Sequence, residues 1–166
     1  MVAYRITVVC TGNICRSPMA EFVLRERFDA AGLSDRVTID SAGTTAWEEG
    51  SPADPRTVAA LERHGHQGDY STHRARVFDK RWFDDVDLVL AADHGHCTVL
   101  RRQAPTPEAQ AKIRMLRSFD PSGPKGDALA IDDPWYGDDT SFDDTYAEVT
   151  GAADGVVEFV RDQLGE

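Results

Sequence analysis

Short apolar runs and longer segments of helical periodicity alternate along this chain of 166 residues. The short runs are rich in β-branched residues, which are typical of buried strands, and they cover residues 4–9, 37–39, 88–92 and 113–116. Helices are predicted between and after these runs, at residues 18–32, 55–64, 79–84, 95–103 and 141–164. Pro, Ala and Gly recur in residues 104–110 and 120–139, which we therefore expect to be loops.

Two of the predicted helices carry local signals. Pro18 suits the first turn of a helix, and Ser17 before it predicts an N-cap. The last helix contains Gly151 and Gly155, which lower its helix propensity.

Strands that alternate with helices predict a parallel sheet with helices on both faces. We expect an α/β protein with a small doubly wound, four-stranded parallel sheet of the flavodoxin-like kind, formed by a single domain over residues 1–166. In such folds the functional site lies outside the carboxyl ends of the strands. The segment after the first strand, residues 10–17, is therefore the first place to look for chemistry.

Composition and charge restrict the classes of protein. The net charge of −11 arises entirely in residues 118–166, which hold 13 acidic and 2 basic residues. An acidic surface of this kind disfavours nucleic acid. The longest apolar stretch, residues 86–92, is too short to span a bilayer, and the N-terminus resembles no signal peptide. With an odd number of cysteines, three, we expect a cytoplasmic protein with reduced thiols and no membrane association.

The segment after the first strand combines a thiol with the elements of an anion site. It reads Cys10, Thr11, Gly12, Asn13, Ile14, Cys15, Arg16, Ser17, a cysteine and an arginine separated by five residues. A loop before a helix N-terminus directs backbone N–H groups at an anion, and Gly12 and Asn13 tolerate positive φ angles. Arg16 can bind two phosphate oxygens, and the same field stabilises a Cys10 thiolate. The pattern suits phosphoryl transfer through a cysteinyl-phosphate. In the alternative interpretation, Cys10 only ends a buried strand.

Several motifs together resemble the low-molecular-weight protein tyrosine phosphatases. They are residues 8–21, 40–44, 73–76 and 133–137, together with Trp47, and they span essentially the whole chain in the family's order. The resemblance implies hydrolysis of phosphotyrosine in proteins through a cysteinyl-phosphate, with no cofactor and no metal. It also implies inhibition by phosphate and vanadate, and a monomer or weak dimer is expected.

The resemblance assigns roles to individual residues. It makes Asp133 the general acid, with Cys10 and Arg16 as the other catalytic residues, although the residues alone do not distinguish Asp133 from Asp132. Ser17 would hydrogen-bond the nucleophile sulfur. Three further assignments follow from the resemblance: Asn13 locks the loop, and Ser41 and His73 brace it. His73 can equally be an ordinary loop histidine.

The resemblance also implies a cleft and a redox partner. Trp47, Trp135 and Tyr136 would wall the cleft and favour a phosphophenyl group over phosphoserine. Trp135 stands where many relatives have tyrosine, which leaves Tyr136 as the one tyrosine of that pair. Cys15 would form a reversible disulfide with Cys10, or would be a passive buried thiol.

Other functions remain alternatives at this stage. Arsenate reduction needs two further relaying cysteines, whereas Cys97 stands alone. Phosphoarginine hydrolysis is disfavoured by Ile14, where such relatives tend to carry threonine. A non-enzymatic phosphate-binding module is disfavoured by the intact nucleophile and acid. His94, His96 and Cys97 do not share a helix face, so we expect no metal site there. The role of Asp93 stays open.

Overall fold

The computed structural model describes residues 2–166. The sheet consists of β1 (Tyr4–Cys10), β2 (Val37–Gly43), β3 (Leu88–Ala91) and β4 (Ile113–Met115). The strands are all parallel and lie in the order β2-β1-β3-β4. This arrangement confirms the predicted four-stranded, doubly wound α/β fold. Because β1 lies inside the sheet, its carboxyl end opens at the centre of the sheet edge.

Helices cover both faces of the sheet. They are α1 (Arg16–Ala30), α2 (Pro55–Arg63), α3 (His94–Gln103), α4 (Pro107–Ala111) and α5 (Asp139–Leu164). Helices α1, α2 and α5 bury one apolar cluster, and α3 and α4 pack into another against the opposite face. Short 3₁₀ turns occur at Tyr70–Thr72, Lys80–Asp84, Leu116–Phe119, Gly126–Leu129 and Pro134–Tyr136. No helix within residues 2–166 has the length and apolar character needed to cross a membrane.

The structure corrects several predicted boundaries. The expected loop at 104–110 is wrong in part, because Thr106 caps α4 through a hydrogen bond from Ala109 N. Strand β2 continues to Gly43, beyond its apolar residues, because pairing with β1 continues to Cys10. Two of the 3₁₀ turns interrupt the expected loop at 120–139.

The predicted cap at Ser17 is also wrong. Helix α1 begins two residues earlier, at Arg16, with Cys15 at the N-cap and no side-chain capping bond. Ser17 therefore lies in the first turn, and its hydroxyl is free for another partner.

The two glycines of α5 have a packing role. A Cβ at Gly155 would overlap the carbonyl oxygen of Phe119, and one at Gly151 would lie 2.6 Å from a carboxylate oxygen of Asp120. The Leu116–Phe119 turn thus packs directly on the α5 backbone. Close packing outweighs the lower helix propensity of glycine, and the helix runs unbroken.

Candidate active site

The segment from Cys10 to Ser17, here called the cysteine loop, joins β1 to α1 at the carboxyl edge of the sheet. It forms the floor of a cavity of about 160 Å³. This volume suits a single side-chain-sized group rather than a large cofactor. The residues that line the cavity are Cys10, Thr11, Gly12, Ile14, Cys15, Arg16, Trp47, Glu48, Asp133, Trp135 and Tyr136.

The carbonyl groups of the cysteine loop bond outward to neighbouring segments. Those of Cys10, Thr11 and Ile14 accept hydrogen bonds from the backbone N–H groups of Thr44, Thr45 and Asp54 at 2.8–3.1 Å. Within the described chain, the N–H groups of residues 11–15 have no protein acceptor. Unpaired donors beside a helix N-terminus form an anion site.

Asn13 holds the loop in this conformation. It is fully buried and has a φ of 60°, which asparagine tolerates better than most residues. Its Nδ2 donates to Ser17 Oγ at 2.8 Å and to Ser41 Oγ at 2.9 Å. Its Oδ1 accepts from Arg76 N at 3.0 Å, and its carbonyl lies 2.7 Å from His73 Nε2. Gly12, also expected to allow a positive φ, does not have one.

A buried carboxylate extends this network away from the cavity. Ser41 Oγ donates to Glu21 Oε1 at 2.6 Å, and Glu21 pairs with Arg25 at 2.8 Å on the same helix. Glu21 is buried, and the sequence analysis missed its role. Its position in α1 gave no signal, because a glutamate in a helix is ordinarily solvent-exposed.

The Ser17 hydroxyl contacts the nucleophile candidate. Its Oγ lies 2.9 Å from Cys10 Sγ, and both groups are buried. The geometry agrees with the hydrogen bond to sulfur that the family resemblance implies for Ser17.

Arg16 is fixed at the start of α1 and is 4 % exposed. Its Nη1 donates to Asp93 Oδ2 and to the carbonyl oxygen of Ile131, both at 2.9 Å. Its Nη2 lies 3.3 Å from Thr11 Oγ1 and 3.6 Å from Asp133 Oδ2. Asp93, whose role the sequence left open, thus orients Arg16. Burial acts to raise the pKa of Asp93, but the charges of His96 and Arg16 and their hydrogen bonds hold it below its usual value.

His96 is a buried neighbour of the cysteine loop. Asp93 N donates to His96 Nδ1 at 3.1 Å, which places the ring proton on Nε2. Nε2 therefore donates to Thr11 Oγ1 at 2.9 Å. Burial lowers the pKa of His96 to about 4, so the ring is neutral and its 3.2 Å approach to the Asp93 carboxylate is not an ion pair at neutral pH. His96 therefore supports Thr11, which in turn contacts Arg16.

The structure distinguishes Asp133 from Asp132. Asp133 lines the cavity with Cys10 and Arg16, and its Oδ1 accepts from Trp135 N at 3.1 Å. This bond caps the 3₁₀ turn Pro134–Tyr136. Asp132 does not line this cavity, and it borders a neighbouring depression against α5 that Asp133 also borders. Of these two carboxylates, Asp133 is therefore the one that lies beside Cys10 and Arg16.

Exposed aromatic side chains form the rim of the cavity. Trp47 is 81 %, Trp135 49 % and Tyr136 82 % exposed, and the last two rings meet edge to face with centroids 4.9 Å apart. Ile14 and Glu48 complete the wall. Large exposed aromatics around a pocket mark a binding surface. The sequence analysis missed Glu48 because it carries no pattern of its own.

Cys15 lies at the N-terminus of α1, beside a second ion pair. Its Sγ is 3.8 Å from Asp54 Oδ2, and Asp54 pairs with Arg56 at 2.9 Å. Burial, followed by the charges of Asp54 and Cys10, raises the pKa of the Cys15 thiol far above its ordinary value. Cys15 is therefore a protonated thiol at neutral pH.

His94, His96 and Cys97 are the residues at which the sequence analysis considered a metal site and expected none. His96 bonds Thr11 and Asp93, His94 Nε2 lies 3.3 Å from Gly126 O, and Cys97 Sγ lies 3.4 Å from Met115 Sδ. These three side chains thus have separate partners. Across residues 2–166, no group of three or more His, Cys, Asp or Glu side chains is arranged to hold a metal ion.

Comparison with known proteins identifies the family of this chain. The family model described as low molecular weight phosphotyrosine protein phosphatase matches residues 5–165. A low molecular weight protein-tyrosine-phosphatase from Streptomyces coelicolor is 50% identical over 163 residues, which cover 98% of this chain and 97% of the relative. The low molecular weight protein-tyrosine phosphatase A of Mycobacterium tuberculosis is 42% identical over 160 residues, with 96% and 93% covered.

The fold is also that of a solved phosphatase structure. A protein tyrosine phosphatase from Entamoeba histolytica, crystallised with Hepes in its active site, superposes with a TM-score of 0.87. It is 26% identical, and the match covers 98% of this chain and 99% of the other. On the family model and these relatives, this chain belongs to the low molecular weight phosphotyrosine protein phosphatase family of hydrolases.

Proposed function

We propose that this protein is a protein tyrosine phosphatase that acts through a cysteinyl-phosphate intermediate. One observation carries the proposal: Cys10, Arg16 and Asp133 line the same cavity, above a loop whose N–H groups lack acceptors. A nucleophile, an anion cradle and an acid are the groups that hydrolysis of a phosphate monoester requires.

In the first step, the Cys10 thiolate attacks phosphorus. The S–P bond forms as the P–O bond to the leaving group breaks, and Asp133 gives its proton to the departing oxygen. The phosphoryl oxygens are held by the Arg16 fork and by the N–H groups of the cysteine loop.

In the second step, the Asp133 carboxylate takes a proton from water as that water attacks phosphorus. The S–P bond breaks and the electron pair returns to Cys10. Ser17 Oγ, 2.9 Å from the sulfur, donates a hydrogen bond to the leaving thiolate. Inorganic phosphate is then released from the cradle.

The rim supports phosphotyrosine as the substrate side chain. Trp47, Trp135 and Tyr136 extend above the phosphate position, where a phenyl ring reaches them and the short phosphoserine does not. Ile14 adds an apolar surface that suits an aryl ester better than the guanidinium of phosphoarginine. Arsenate reduction by a disulfide relay is disfavoured, because Cys97 is buried against Met115 in the opposite core cluster.

Cys15 supports a reversible protection of the nucleophile. Both Cys10 and Cys15 line the cavity, and burial keeps Cys15 protonated and unreactive by itself. When peroxide oxidises Cys10 to a sulfenic acid, attack by Cys15 sulfur would expel water and form a disulfide. A reducing thiol would then restore both groups.

The remaining expectations concern the setting of the enzyme. We propose tyrosine-phosphorylated proteins as substrates, phosphate and vanadate as inhibitors, a monomer or weak dimer, and a cytoplasmic location. The odd number of cysteines, three, supports a reducing compartment.

The first experiment is hydrolysis of an aryl phosphate at mildly acidic pH in the presence of a metal chelator. We expect turnover by the wild type and by Cys97→Ala, and none by Cys10→Ser. A tyrosine-phosphorylated peptide should be hydrolysed in preference to its phosphoserine counterpart. Activity that survives in Cys10→Ser would show that Cys10 is not the nucleophile. Loss of wild-type activity in the presence of the chelator would contradict the metal-independent mechanism. An inactive wild type would leave an anion-binding site and refute the proposed function.

A further inference from the structure

Arg56 connects the first turn of α2 to the turn that carries Asp133. Its Nη1 donates to the carbonyl oxygen of Trp135 at 3.2 Å and to that of Gly137 at 3.4 Å. Its Nε and Nη2 donate to the Asp54 carboxylate at 3.1 and 2.9 Å. One guanidinium thus joins two segments that are distant in sequence.

The α2 side of this connection is rigid. The Asp54 carboxylate caps α2 by accepting from Arg56 N at 2.8 Å, so backbone and side chain of Arg56 share one partner. The guanidinium carbon also lies 4.6 Å from the ring centroid of Phe142, which is fully buried. Because Asp54 and Phe142 both hold the planar Arg56 guanidinium, its Nη1 points in a defined direction.

The turn itself has few other anchors. Within residues 2–166, the other hydrogen bonds of residues 134–137 stay inside the turn: Trp135 N to Asp133 Oδ1 and Gly137 N to Pro134 O. Pro134 is buried, whereas Trp135 is about half exposed and Tyr136 is largely exposed, so packing holds the start of the turn better than its end. Asp133 itself lies 3.6 Å from Arg16 Nη2, but within residues 2–166 the hydrogen bonds that join residues 135–137 to another segment come from Arg56.

We infer that Arg56 is a positioning residue for Asp133, because it fixes the 133–137 turn so that the carboxyl group faces Cys10 and Arg16. This inference rests on the proposed function, in which Asp133 protonates the departing oxygen while the S–P bond forms. A displaced carboxyl group would leave the leaving group to depart as an unprotonated anion.

The test compares kcat/KM for two esters, which reports formation of the cysteinyl-phosphate. The nitro group of p-nitrophenyl phosphate stabilises the leaving anion, whereas phenyl phosphate depends strongly on the acid. We expect Arg56→Ala to lower kcat/KM about tenfold for phenyl phosphate and about twofold for p-nitrophenyl phosphate. Arg56→Lys, which keeps the charge but loses the fork, should fall between wild type and Arg56→Ala.

Arg63→Ala is the matched control. Arg63 lies at the other end of α2, where it pairs with Asp143 on α5 at 2.7 Å, and it does not line the cavity. We expect its ratio of the two kcat/KM values to equal that of the wild type. The inhibition constant of inorganic phosphate should change little in all three variants, because the hydrogen bonds of Arg56 within residues 2–166 go to Asp54, Trp135 and Gly137 and none goes to the cysteine loop itself.

A double-mutant cycle gives a second readout, which a general loss of stability would not reproduce. In the Asp133→Ala background, Arg56→Ala should cause no further loss of kcat/KM, since Arg56 acts through Asp133. Equal losses for both esters, or a full additional loss in that background, would overturn the inference. If the wild type is active and Arg56→Ala has the same kcat/KM values, the inference is overturned and the proposed function stands. An inactive wild type would refute the proposed function as well.

Discussion

The Ser17 hydroxyl oxygen lies 2.9 Å from the Cys10 sulfur and accepts a hydrogen bond from Asn13 Nδ2 at 2.8 Å. Its own hydrogen can reach either the sulfur or the carbonyl oxygen of Ala42, which is 3.4 Å away. Beside a thiolate the shorter contact is favoured, because a charged acceptor forms the stronger bond. In the proposed mechanism, Ser17 would therefore stabilise the charge that Cys10 carries before attack and again after the S–P bond breaks.

Replacement of Ser17 by alanine removes this bond. It costs no capping bond, because the start of α1 has no side-chain cap in the wild type. A hydrogen bond to a charged group contributes about 1.5–3 kcal/mol, so we expect kcat to fall about tenfold to a hundredfold. The phosphorylated enzyme should accumulate in acid-quenched reactions, because departure of the thiolate is slowed. Ser118→Ala is the control, because it removes a bond to Met115 O and Ser118 does not line the cavity. An unchanged kcat in Ser17→Ala would contradict the assignment.

Asp133 and Asp132 provide a matched pair for the general acid. We expect Asp133→Asn to lower kcat for an aryl phosphate about a hundredfold or more, while binding of the ester is retained. Asp132→Asn should leave kcat within about twofold, because Asp132 does not line the cavity. Steady-state kinetics measure kcat, and competitive binding of the unhydrolysed ester measures its affinity. The reverse ranking of the two variants would move the acid to Asp132.

Asn13 combines an unusual backbone conformation with several buried hydrogen bonds. Asn13→Ala loses the side-chain bonds and places alanine at a φ of 60°, so we expect a loss of about 3 kcal/mol in the free energy of unfolding. Asn13→Gly loses the same bonds without the steric cost, and should be more stable than Asn13→Ala by about 1 kcal/mol. Urea unfolding measures both variants. An alanine variant more stable than the glycine variant would show that the backbone is not strained.

The sequence predicted the fold well where periodicity was strong. The alternation of β-rich runs and amphipathic segments was sufficient for the sheet, and the position of the cysteine loop after β1 followed from it. The C-terminal half of β2 was missed, since its Asp40, Ser41 and Gly43 look like a turn. Pairing with β1 extends strand β2 through these residues. Glycine is needed at position 43, because a Cβ there would approach the Thr11 carbonyl oxygen to 2.5 Å.

The residues of the site were also predicted best where local sequence determines their position. Cys10 and Arg16 are adjacent in sequence to the strand and helix that position them, so local rules place them. Asp133, which the family resemblance named, and His96 and Arg56, which it did not, reach the site from distant segments. Glu21 lies in α1 itself, but its burial and its bond to Ser41 depend on tertiary packing. Ser17 shows the limit of local rules, because a serine before a proline resembles a cap and instead contacts the sulfur.

The three thiols should differ in reactivity toward iodoacetamide at neutral pH. Burial, followed by the charges of Asp54 and Cys10, raises the pKa of Cys15, and burial raises that of Cys97. Both are therefore protonated, whereas Cys10 lies in an anion cradle. We expect brief treatment to alkylate Cys10 first, as located by peptide mass spectrometry, and inorganic phosphate to slow the reaction. Preferential labelling of Cys15 would show that the cradle does not favour the Cys10 thiolate.

His96 should make the folding stability depend on pH in a defined window. Burial lowers its pKa from 6.5 to about 4, so the unfolded chain takes up a proton between these values and the folded protein does not. The free energy of unfolding should therefore decrease as the pH falls from about 6.5 to about 4, by at most about 3 kcal/mol. This window lies above the one expected for Asp93, whose pKa is held below its usual 3.8.

A variant without the imidazole isolates this contribution. We expect His96→Gln to be less stable than the wild type at pH 7, because it changes the hydrogen bond to Thr11, and to lose less stability on acidification. Urea unfolding at intervals between pH 7 and pH 4 gives both curves. His94→Gln is the control, since His94 is exposed and its Nε2 lies 3.3 Å from the carbonyl oxygen of Gly126. Parallel curves for the wild type and His96→Gln would show that His96 is not held neutral by the fold.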